Sequence, residues 1–457
     1  MMRAQRVVEL TAVSLIFVGI SLFSAHLQSL TPPTPAWYGA KYVNMAQQFR
    51  SGAHVVSERP PWVYRIGTPW LASFASESAI NASRPFLIIN IASAFGVAAL
   101  LLVWFTRFVP TSAIRVLLVT LFLITWVGPA RFVYFTPAYV DPLFFVFLLI
   151  GLVMVDATRL RPPMESALLL APVVFVGTLC RESMGVVGLA FLGCHDPVAA
   201  VRAGRWREAA WTMVPLLAAF LAVVFDHFVA IPTGPDTALS LPLSLIGHKS
   251  LLTWTLTWFF TFGPPVVALV VLDRRSAITF LRREPHLLLY LLGCGALSYF
   301  GGVDDERVTL WAAPVVYVLT ARAIEHHRAA LRSVALVLAL AAAQVVSARA
   351  LWPIPAQGVA VASISHSRSI TAWVFDAVNR LVVIDTYYSN LWSYWGSRPW
   401  HYVLLAYDIG FVIVIGAWIR LIERPSGRVG SIVEYAGRPD EAAEGGLPRR
   451  HLDAKRL

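Results

Sequence analysis

Long apolar runs alternate with short polar stretches along most of this 457-residue chain. A run of about 18 or more residues with almost no charge is typical of a membrane-spanning helix. The pattern predicts an all-α polytopic membrane protein with about twelve transmembrane helices, built as one transmembrane domain over residues 1–422. The predicted crossings are Val7–Leu27, Ser83–Thr106, Ala113–Pro129, Val140–Val155, Ser166–Cys180, Ser183–Cys194, Glu208–Ile231, Ser250–Leu272, His286–Phe300, Arg307–Ala323, Leu331–Ala350 and His401–Leu421.

Arginine-rich connections alternate with connections that carry fewer basic residues, and this alternation orients the chain. Basic residues concentrate, for example, at 159–161, 202–207 and 274–283. Cytoplasmic loops of membrane proteins are the ones enriched in Lys and Arg. We therefore expect both termini to be cytoplasmic. The tail 423–457 mixes Arg, Glu, Gly and Pro, and it is predicted to be a disordered basic cytoplasmic end.

Two long loops lie on the outer side, together with a third, shorter and Pro-rich segment, Pro232–Lys249. The first, 28–82, has apolar positions at helical spacing between Trp37 and Phe49, and Pro69 suits the first turn of a second helix. Both helices are predicted to lie in the membrane interface. The second loop, 352–400, is rich in aromatic residues, which predicts another interfacial element.

The composition supports this class and excludes others. Hydrophobic residues make up 57% of the chain, charged residues 14%, and the net charge is +11. The basic residues are scattered and no RNA- or DNA-binding motif is present, so no nucleic-acid partner is expected. The three cysteines, Cys180, Cys194 and Cys294, lie in apolar stretches without disulfide or metal-ligand spacing. The arginine- and alanine-rich composition is typical of a GC-rich bacterial genome, which predicts a bacterial inner (cytoplasmic) membrane protein.

The first candidate site residues lie in the first outer loop. Arg65 stands among aromatic residues in Trp62-Val63-Tyr64-Arg65-Ile66. An arginine held in this way can bind a phosphate through its planar guanidinium fork. Glu58 is a candidate catalytic base, and His54 and Tyr64 are further candidates. The alternative is a solvated loop whose arginine pairs with lipid headgroups.

Three more candidates flank apolar runs on the same side. Asp141 precedes Pro142 at the mouth of a helix, so it is either a helix N-cap or a carboxylate that faces an outer cavity. Arg181 and Glu182 lie between two short apolar runs, and ionisable residues at membrane depth are functional candidates by default. Arg181 is a candidate phosphate ligand, and Asp141 and Glu182 are candidate bases. The alternative is a mutual salt bridge between Arg181 and Glu182 that only closes the hairpin.

The acidic turn Asp304-Asp305-Glu306-Arg307 joins two apolar segments. Neighbouring carboxylates favour proton binding, so Asp304 or Asp305 could act as a general base. They could also hold a divalent metal ion through oxygen ligands, although the spacing matches no defined metal motif. Arg307 is the third candidate phosphate ligand. The alternative is a solvated acidic turn.

The sequence shows no glycine-rich phosphate loop, serine nucleophile elbow or His/Cys metal cluster. Any catalysis would therefore use charged residues at the membrane surface. Asp226, His227 and Asp408 also suggest an ion-coupled transporter. That function needs charges near the bilayer midplane, whereas these residues lie near the predicted outer surface.

Four short motifs stand in this architecture of a first span, a long outer loop and many later spans. They are Tyr42-Val43-Asn44-Met45-Ala46, Tyr64-Arg65-Ile66-Gly67-Thr68-Pro69, Arg181-Glu182-Ser183 and Asp305-Glu306-Arg307. Over residues 7–351 the chain resembles the integral-membrane glycosyltransferases of the GT-C superfamily and uncharacterised bacterial relatives. The resemblance implies a polyprenyl-phosphate-linked sugar as donor and a glycan, lipid or protein as acceptor. It also implies Arg65 and Arg307 as phosphate ligands and Asp141 and Glu182 as cavity carboxylates.

One feature departs from that superfamily, whose members usually carry a catalytic acid early in the first outer loop. Residues 28–50 contain no Asp or Glu, and Pro35-Ala36-Trp37-Tyr38-Gly39 stands where the acid is expected. The leading hypothesis is a glycosyltransferase acting on the periplasmic face, with Arg65, Arg181 or Arg307 on the donor phosphate. The missing acid favours the alternative of a non-catalytic GT-C-like scaffold or a lipid-linked sugar translocator.

Overall fold

The structure, a computed structural model, describes residues 2–29, 39–75, 83–234, 249–302, 304–354, 392–394, 396 and 398–424. Most of the aromatic segment 352–400 and nearly all of the tail 423–457 lie outside the described residues. The predictions made for those two segments therefore stay predictions, as does the division of the chain into one domain and a tail.

The described chain is helical apart from two short strands. The helices of the first half are α1 (Met2–Ser29), α2 (Gly39–Arg50), α3 (Gly67–Ser73), α4 (Arg84–Phe105), α5 (Ser112–Ile124), α6 (Pro129–Phe135), α7 (Asp141–Thr158), α8 (Pro163–Cys180), α9 (Gly185–His195), α10 (Pro197–Arg202), α11 (Trp206–Thr212) and α12 (Val214–Val229). Those of the second half are α13 (Leu251–Phe262), α14 (Pro264–Leu272), α15 (Arg274–Arg283), α16 (Pro285–Phe300), α17 (Asp305–Thr309), α18 (Ala313–His326), α19 (Val334–Ser347) and α20 (Arg398–Glu423). Single turns of 3-10 helix occupy Trp62–Tyr64, Glu182–Met184, Leu310–Ala312 and Ala330–Arg332. Strands β1 (Val56–Glu58) and β2 (Ala230–Pro232) pair in parallel.

Seven helices of the described chain are long and apolar enough to cross a membrane, or up to nine if each of two bent helix pairs counts as one span. This confirms the prediction of a helical, multi-pass membrane protein. Helices α9, α16 and α19 have 11, 16 and 14 residues. They are shorter than the roughly 20 residues that a hydrocarbon core usually requires. The count of about twelve crossings therefore stays a prediction.

The sharper bend lies between α13 and α14, at an angle of 106°. Gly263 forms the corner with a φ of 83°, a conformation that favours glycine. Pro264 then begins α14, where its missing N–H costs no helical hydrogen bond. The chain therefore has a local cause for the break in this long apolar run.

The two helices predicted for the first outer loop are present as α2 and α3. Tyr42 and Met45 of α2 are buried in an apolar cluster together with Ile66, which precedes α3. Phe86 of α4 and Val140, next to the start of α7, belong to the same cluster. The loop is thus packed onto the ends of the long helices, while its position in a membrane interface stays a prediction.

Charged side chains gather at both ends of the long helices. Near the end of α7, Asp156 pairs with Arg107, and Arg159 Nη1 lies 2.9 Å from Glu284 Oε2. The start of α7 carries Asp141, and its partners Arg181 and Arg307 come from the end of α8 and from α17. Which of these two ends faces the cytoplasm stays a prediction from the arginine distribution.

One buried arginine has a purely structural environment. The guanidinium of Arg131 in α6 donates hydrogen bonds to the main-chain oxygens of Ile124, Ala348, Arg349 and Trp352. Carbonyl dipoles of this kind make a charge tolerable at membrane depth. Its two Nη groups donate only to main-chain oxygens, which sets Arg131 apart from the carboxylate-paired arginines described next, although its Nε is also buried without a partner among the described residues.

Candidate functional site

Arg65 reaches the site because two helix ends approach each other closely. The turn Trp62–Tyr64 ends at Arg65, and α3 begins at Gly67. A Cβ on Gly67 would lie 2.8 Å from Cys180 Sγ and 3.1 Å from the Cys180 main-chain nitrogen. Glycine therefore allows the start of α3 to touch the end of α8, and this contact places Arg65 beside Glu182.

Arg65 and Glu182 form a two-point ion pair. Arg65 Nε and Nη2 donate to the two carboxylate oxygens of Glu182 at 3.0 and 2.6 Å, and Nη1 donates to the Tyr42 hydroxyl at 3.3 Å. The partial burial of Glu182, whose side chain is 42% exposed, acts to raise its pKa, but the charge and hydrogen bonds of Arg65 lower that pKa to about 2. Burial acts to lower the pKa of Arg65, but Glu182 and Tyr42 hold that pKa well above its usual value. Both groups are therefore charged at neutral pH.

Asp141 lies between two arginines. Its carboxylate is in close contact with Arg181 Nη1, and its Oδ2 lies 3.5 Å from Arg307 Nη1. Asp141 is the first residue of α7, but Val140 occupies the N-cap position and no side-chain hydrogen bond caps this helix. The N-cap alternative for Asp141 is therefore wrong, and its carboxylate is used for ion pairing.

Arg181 leaves the end of α8 in an extended conformation, with a φ of −164°. Its guanidinium carbon lies 4.7 Å from the ring centroid of Trp311, within cation–π range. Its Nε is buried and has no hydrogen-bond partner among the described residues. Burial lowers the pKa of Arg181 in spite of the neighbouring Asp141. Arg181 and Glu182 make no ion pair with each other, so the predicted alternative of a closed mutual pair is not formed.

Arg307 connects the acidic turn to Asp141. Its Nη2 pairs with Asp304 within the turn, and its guanidinium carbon lies 5.5 Å from the ring centroid of Phe132. The charges of Arg65 and Arg307 both act on Arg181, so the pairs belong to one electrostatic unit. We call this unit the ion network. Its members are Arg65, Asp141, Arg181, Glu182, Asp304 and Arg307.

The rest of the acidic turn points elsewhere. Asp305 Oδ1 lies 2.6 Å from Lys249 Nζ, and these side chains are 2% and 1% exposed. Glu306 Oε1 accepts a hydrogen bond from the Ser393 main-chain nitrogen at 2.7 Å. The three neighbouring acids thus take three different partners. In the described part of the chain no group of three or more His, Cys, Asp or Glu is arranged to hold a metal ion, and a divalent metal stays a prediction.

The remaining candidates of the first loop lie apart from the ion network. Glu58 Oε2 accepts a hydrogen bond from Asn44 Nδ2 at 3.1 Å. His54 is exposed. The ring of Tyr64 stacks on His227 with centroids 4.5 Å apart. Their roles stay predictions, and the structure associates them with the loop surface and with the end of α12.

Sequence reasoning missed three residues that complete these contacts. Tyr42 holds Arg65, Trp311 lies under Arg181, and Lys249 neutralises Asp305. Lys249 left a usable signal, because nearly all other basic residues of the chain are arginine. Tyr42 stands in one of the four motifs, which indicated no contact for it, and Trp311 left no signal, since aromatic residues beside apolar runs are common at membrane interfaces.

No family model matches the chain, and no curated protein matches it by sequence. Among solved structures the fold is similar to that of the oligosaccharyltransferase of Archaeoglobus fulgidus in its apo form, with a TM-score of 0.42 and 14% sequence identity. The match covers 88% of this chain and 59% of that protein. At this level of similarity, neither a family nor a function follows for this chain.

Proposed function

We propose that the protein is a membrane glycosyltransferase of the GT-C type, and that its ion network binds a polyprenyl-phosphate-linked sugar. The donor enters from the bilayer, and the acceptor is a hydroxyl of a glycan, lipid or protein on the periplasmic face of a bacterial inner membrane. One observation carries the proposal. Arg65, Arg181 and Arg307 come from three distant parts of the sequence and converge on the carboxylates of Asp141 and Glu182 at the ends of apolar helices.

The arginines suit the leaving group of such a reaction. When the bond between the sugar C1 and the phosphate oxygen breaks, the lipid phosphate keeps the electron pair and gains negative charge. Guanidinium groups bind phosphate with two parallel hydrogen bonds and stabilise that charge. Arg181 Nε is buried without a hydrogen-bond partner among the described residues, so it has a donor available for a phosphate oxygen.

Asp141 is the candidate base that this geometry favours. Its Oδ2 accepts no hydrogen bond from a described residue. In the proposed step the acceptor oxygen attacks the sugar C1, its proton passes to Asp141, and the lipid phosphate departs towards the arginines. Glu182 fits a different role, because both of its carboxylate oxygens already accept hydrogen bonds from Arg65. We assign it to positioning Arg65.

The test is sugar transfer from a labelled polyprenyl-phosphate donor in proteoliposomes. Arg65→Ala is expected to lower turnover by about 100-fold or more, the loss typical of removing a group that stabilises transition-state charge. Arg59→Ala is the matched control, because Arg59 is an exposed arginine of the same loop outside the ion network. Size-exclusion profiles and circular dichroism verify that each variant folds. Turnover by Arg65→Ala equal to that of Arg59→Ala contradicts the proposal.

A second function is favoured by one observation: each carboxylate of the ion network already contacts an arginine. Such acids are poor proton acceptors. A translocator of a lipid-linked sugar, or a non-catalytic scaffold that binds one, needs no proton acceptor. The same proteoliposomes distinguish the two functions. Labelled donor that crosses the bilayer, or is retained, without a new glycosidic bond supports the second. A glycosidic product that disappears in Asp141→Asn supports the transferase.

A further inference from the structure

A cavity of about 430 Å³ lies far from the ion network. It is lined by Arg275, Ser276, Thr279, Phe280, Arg283, Glu284 and Arg322. Arg307 of the ion network and Arg322 of the cavity belong to the same candidate span, Asp305–His326. Their separation along that span is roughly 20 Å at the rise of a helix. The cavity therefore opens at the opposite end of the transmembrane bundle.

The cavity carries positive charge that the described residues do not neutralise. Arg275, Arg283 and Arg322 make no ion pair within the described part of the chain. The single acid of the lining, Glu284, pairs with Arg159 at 2.9 Å. Three guanidinium groups around one cavity repel each other unless an anion or water separates them. The lining is therefore suited to an anionic occupant.

Arg322 distinguishes this cavity from an ordinary basic loop. Its guanidinium carbon lies 4.6 Å from the ring centroid of Phe280, and its Nε is buried without a hydrogen-bond partner among the described residues. Stacking on an aromatic ring holds the planar fork in place and leaves its edge free to donate. Solvated arginines of a cytoplasmic loop need neither feature.

The position of α15 brings the cavity to the membrane surface. This helix connects α14 to α16, with Ala277 and Leu281 buried and arginines at both of its ends. A short amphipathic helix of this kind lies at headgroup level. Basic pockets between transmembrane helices at that level recognise lipid headgroups through their phosphates. The hydroxyl groups of Ser276 and Thr279 add hydrogen-bonding atoms to the lining.

We propose that this cavity binds a phosphate group at the membrane surface, separately from the ion network. Arg322 supplies the fixed fork, and Arg275 and Arg283 supply charge from the same face of α15, about two turns apart. The phosphate is carried either by an anionic phospholipid or by a soluble phosphate compound. The proposal is independent of the glycosyltransferase function, since none of its residues belongs to the ion network.

The experiment titrates purified full-length protein with phosphatidylglycerol and counts bound lipids by native mass spectrometry, with phosphatidylcholine, whose choline cation balances its phosphate, as the zwitterionic reference. The cavity variant is Arg275→Gln/Arg283→Gln. The matched control is Arg274→Gln/Arg282→Gln, which removes the same charge from the same helix at positions that do not line the cavity. Arg322→Lys keeps a positive charge and removes the fork. Thermal unfolding midpoints verify that all variants are folded.

We expect the cavity variant and Arg322→Lys to weaken phosphatidylglycerol binding by about tenfold or more, as the loss of charge-assisted hydrogen bonds would. The control variant should change it by less than about twofold. The proposal is overturned if the two double variants weaken phosphatidylglycerol binding equally. It is also overturned if the wild type binds neither phosphatidylglycerol nor inorganic phosphate selectively. Competition with inorganic phosphate identifies the source. Full displacement supports a soluble phosphate, and persistent lipid binding supports a phospholipid.

Discussion

The Arg65–Glu182 pair is unevenly buried, which predicts that its two partners differ in how much stability their loss costs. The side chain of Arg65 is 7% exposed and that of Glu182 is 42% exposed. Glu182→Gln leaves a buried guanidinium without its counter-charge, because water does not reach Arg65. Arg65→Gln leaves a carboxylate that water can hydrate. The first substitution should therefore destabilise the protein more than the second.

The expected magnitudes follow from the same exposures. Breaking a fully buried ion pair costs about 3–5 kcal/mol. Access of water to Glu182 reduces that cost, and we expect Glu182→Gln to lower the free energy of unfolding by about 2–3 kcal/mol. For Arg65→Gln we expect about 1 kcal/mol, the net contribution of ordinary hydrogen bonds. The double variant removes both charges, so it should cost about 1–2 kcal/mol less than the sum of the single variants.

Denaturation with SDS of detergent-purified protein at pH 7 measures these differences. Glu208→Gln is the matched control, because the Arg205–Glu208 pair has a comparable distance of 2.8 Å but is 55% and 44% exposed. That substitution should change the free energy of unfolding by less than about 0.5 kcal/mol. Equal losses for Glu182→Gln and Arg65→Gln, or strict additivity in the double variant, would refute the role given to burial.

Two further predictions concern pH and the second buried pair. The pKa of Glu182 is about 2 in the folded protein against 4.5 for the ordinary group, so its ionisation stabilises the fold above pH 4.5 and that stabilisation is lost as the pH falls towards 2. The free energies of unfolding of the wild type and Glu182→Gln, measured by SDS denaturation between pH 6 and 3, should therefore converge as the pH falls. A difference that stays constant with pH contradicts this. Lys249→Met leaves Asp305 buried beside no cation and should cost about 3 kcal/mol or more. The double variant Lys249→Met/Asp305→Leu should recover most of the lost free energy of unfolding. A double variant as unstable as Lys249→Met contradicts the ion-pair account.

The fold class could be predicted from the sequence because long apolar runs have few solutions in a bilayer. The number of crossings could not be predicted in the same way, since hydropathy does not show where a helix breaks. The run Ser250–Leu272 is continuous in hydropathy, yet Gly263 divides it at 106°. Runs such as Gly185–His195 are apolar but short, and their length alone leaves the count open.

The charged residues of the ion network could be picked out from the sequence, but their contacts could not. Arg65, Asp141, Arg181 and Glu182 were recognisable because each charge interrupts apolar sequence. Their pairing was not recognisable, because adjacent residues such as Arg181 and Glu182 contact partners from different parts of the chain. The same limit applies to the acidic turn. Asp304 precedes α17 with a φ of −94° and a ψ of 60°, so it joins the ion network while Asp305, the first residue of the helix, turns to Lys249.

The charge balance of the ion network constrains how a phosphate could enter it. Three arginines face three carboxylates, so beyond the unpartnered Arg181 Nε an incoming phosphate competes with these acids for the guanidinium groups. Glu182 is the carboxylate that leaves at the lowest cost, because its side chain is 42% exposed and can be hydrated while Arg65 remains in place. We therefore infer that Glu182 holds Arg65 ready and yields it to the donor phosphate. Glu182→Gln should then bind the polyprenyl-phosphate donor more tightly than the wild type although its fold is less stable. Weaker binding by a correctly folded Glu182→Gln would show that Glu182 helps to hold the donor and that another acid gives way.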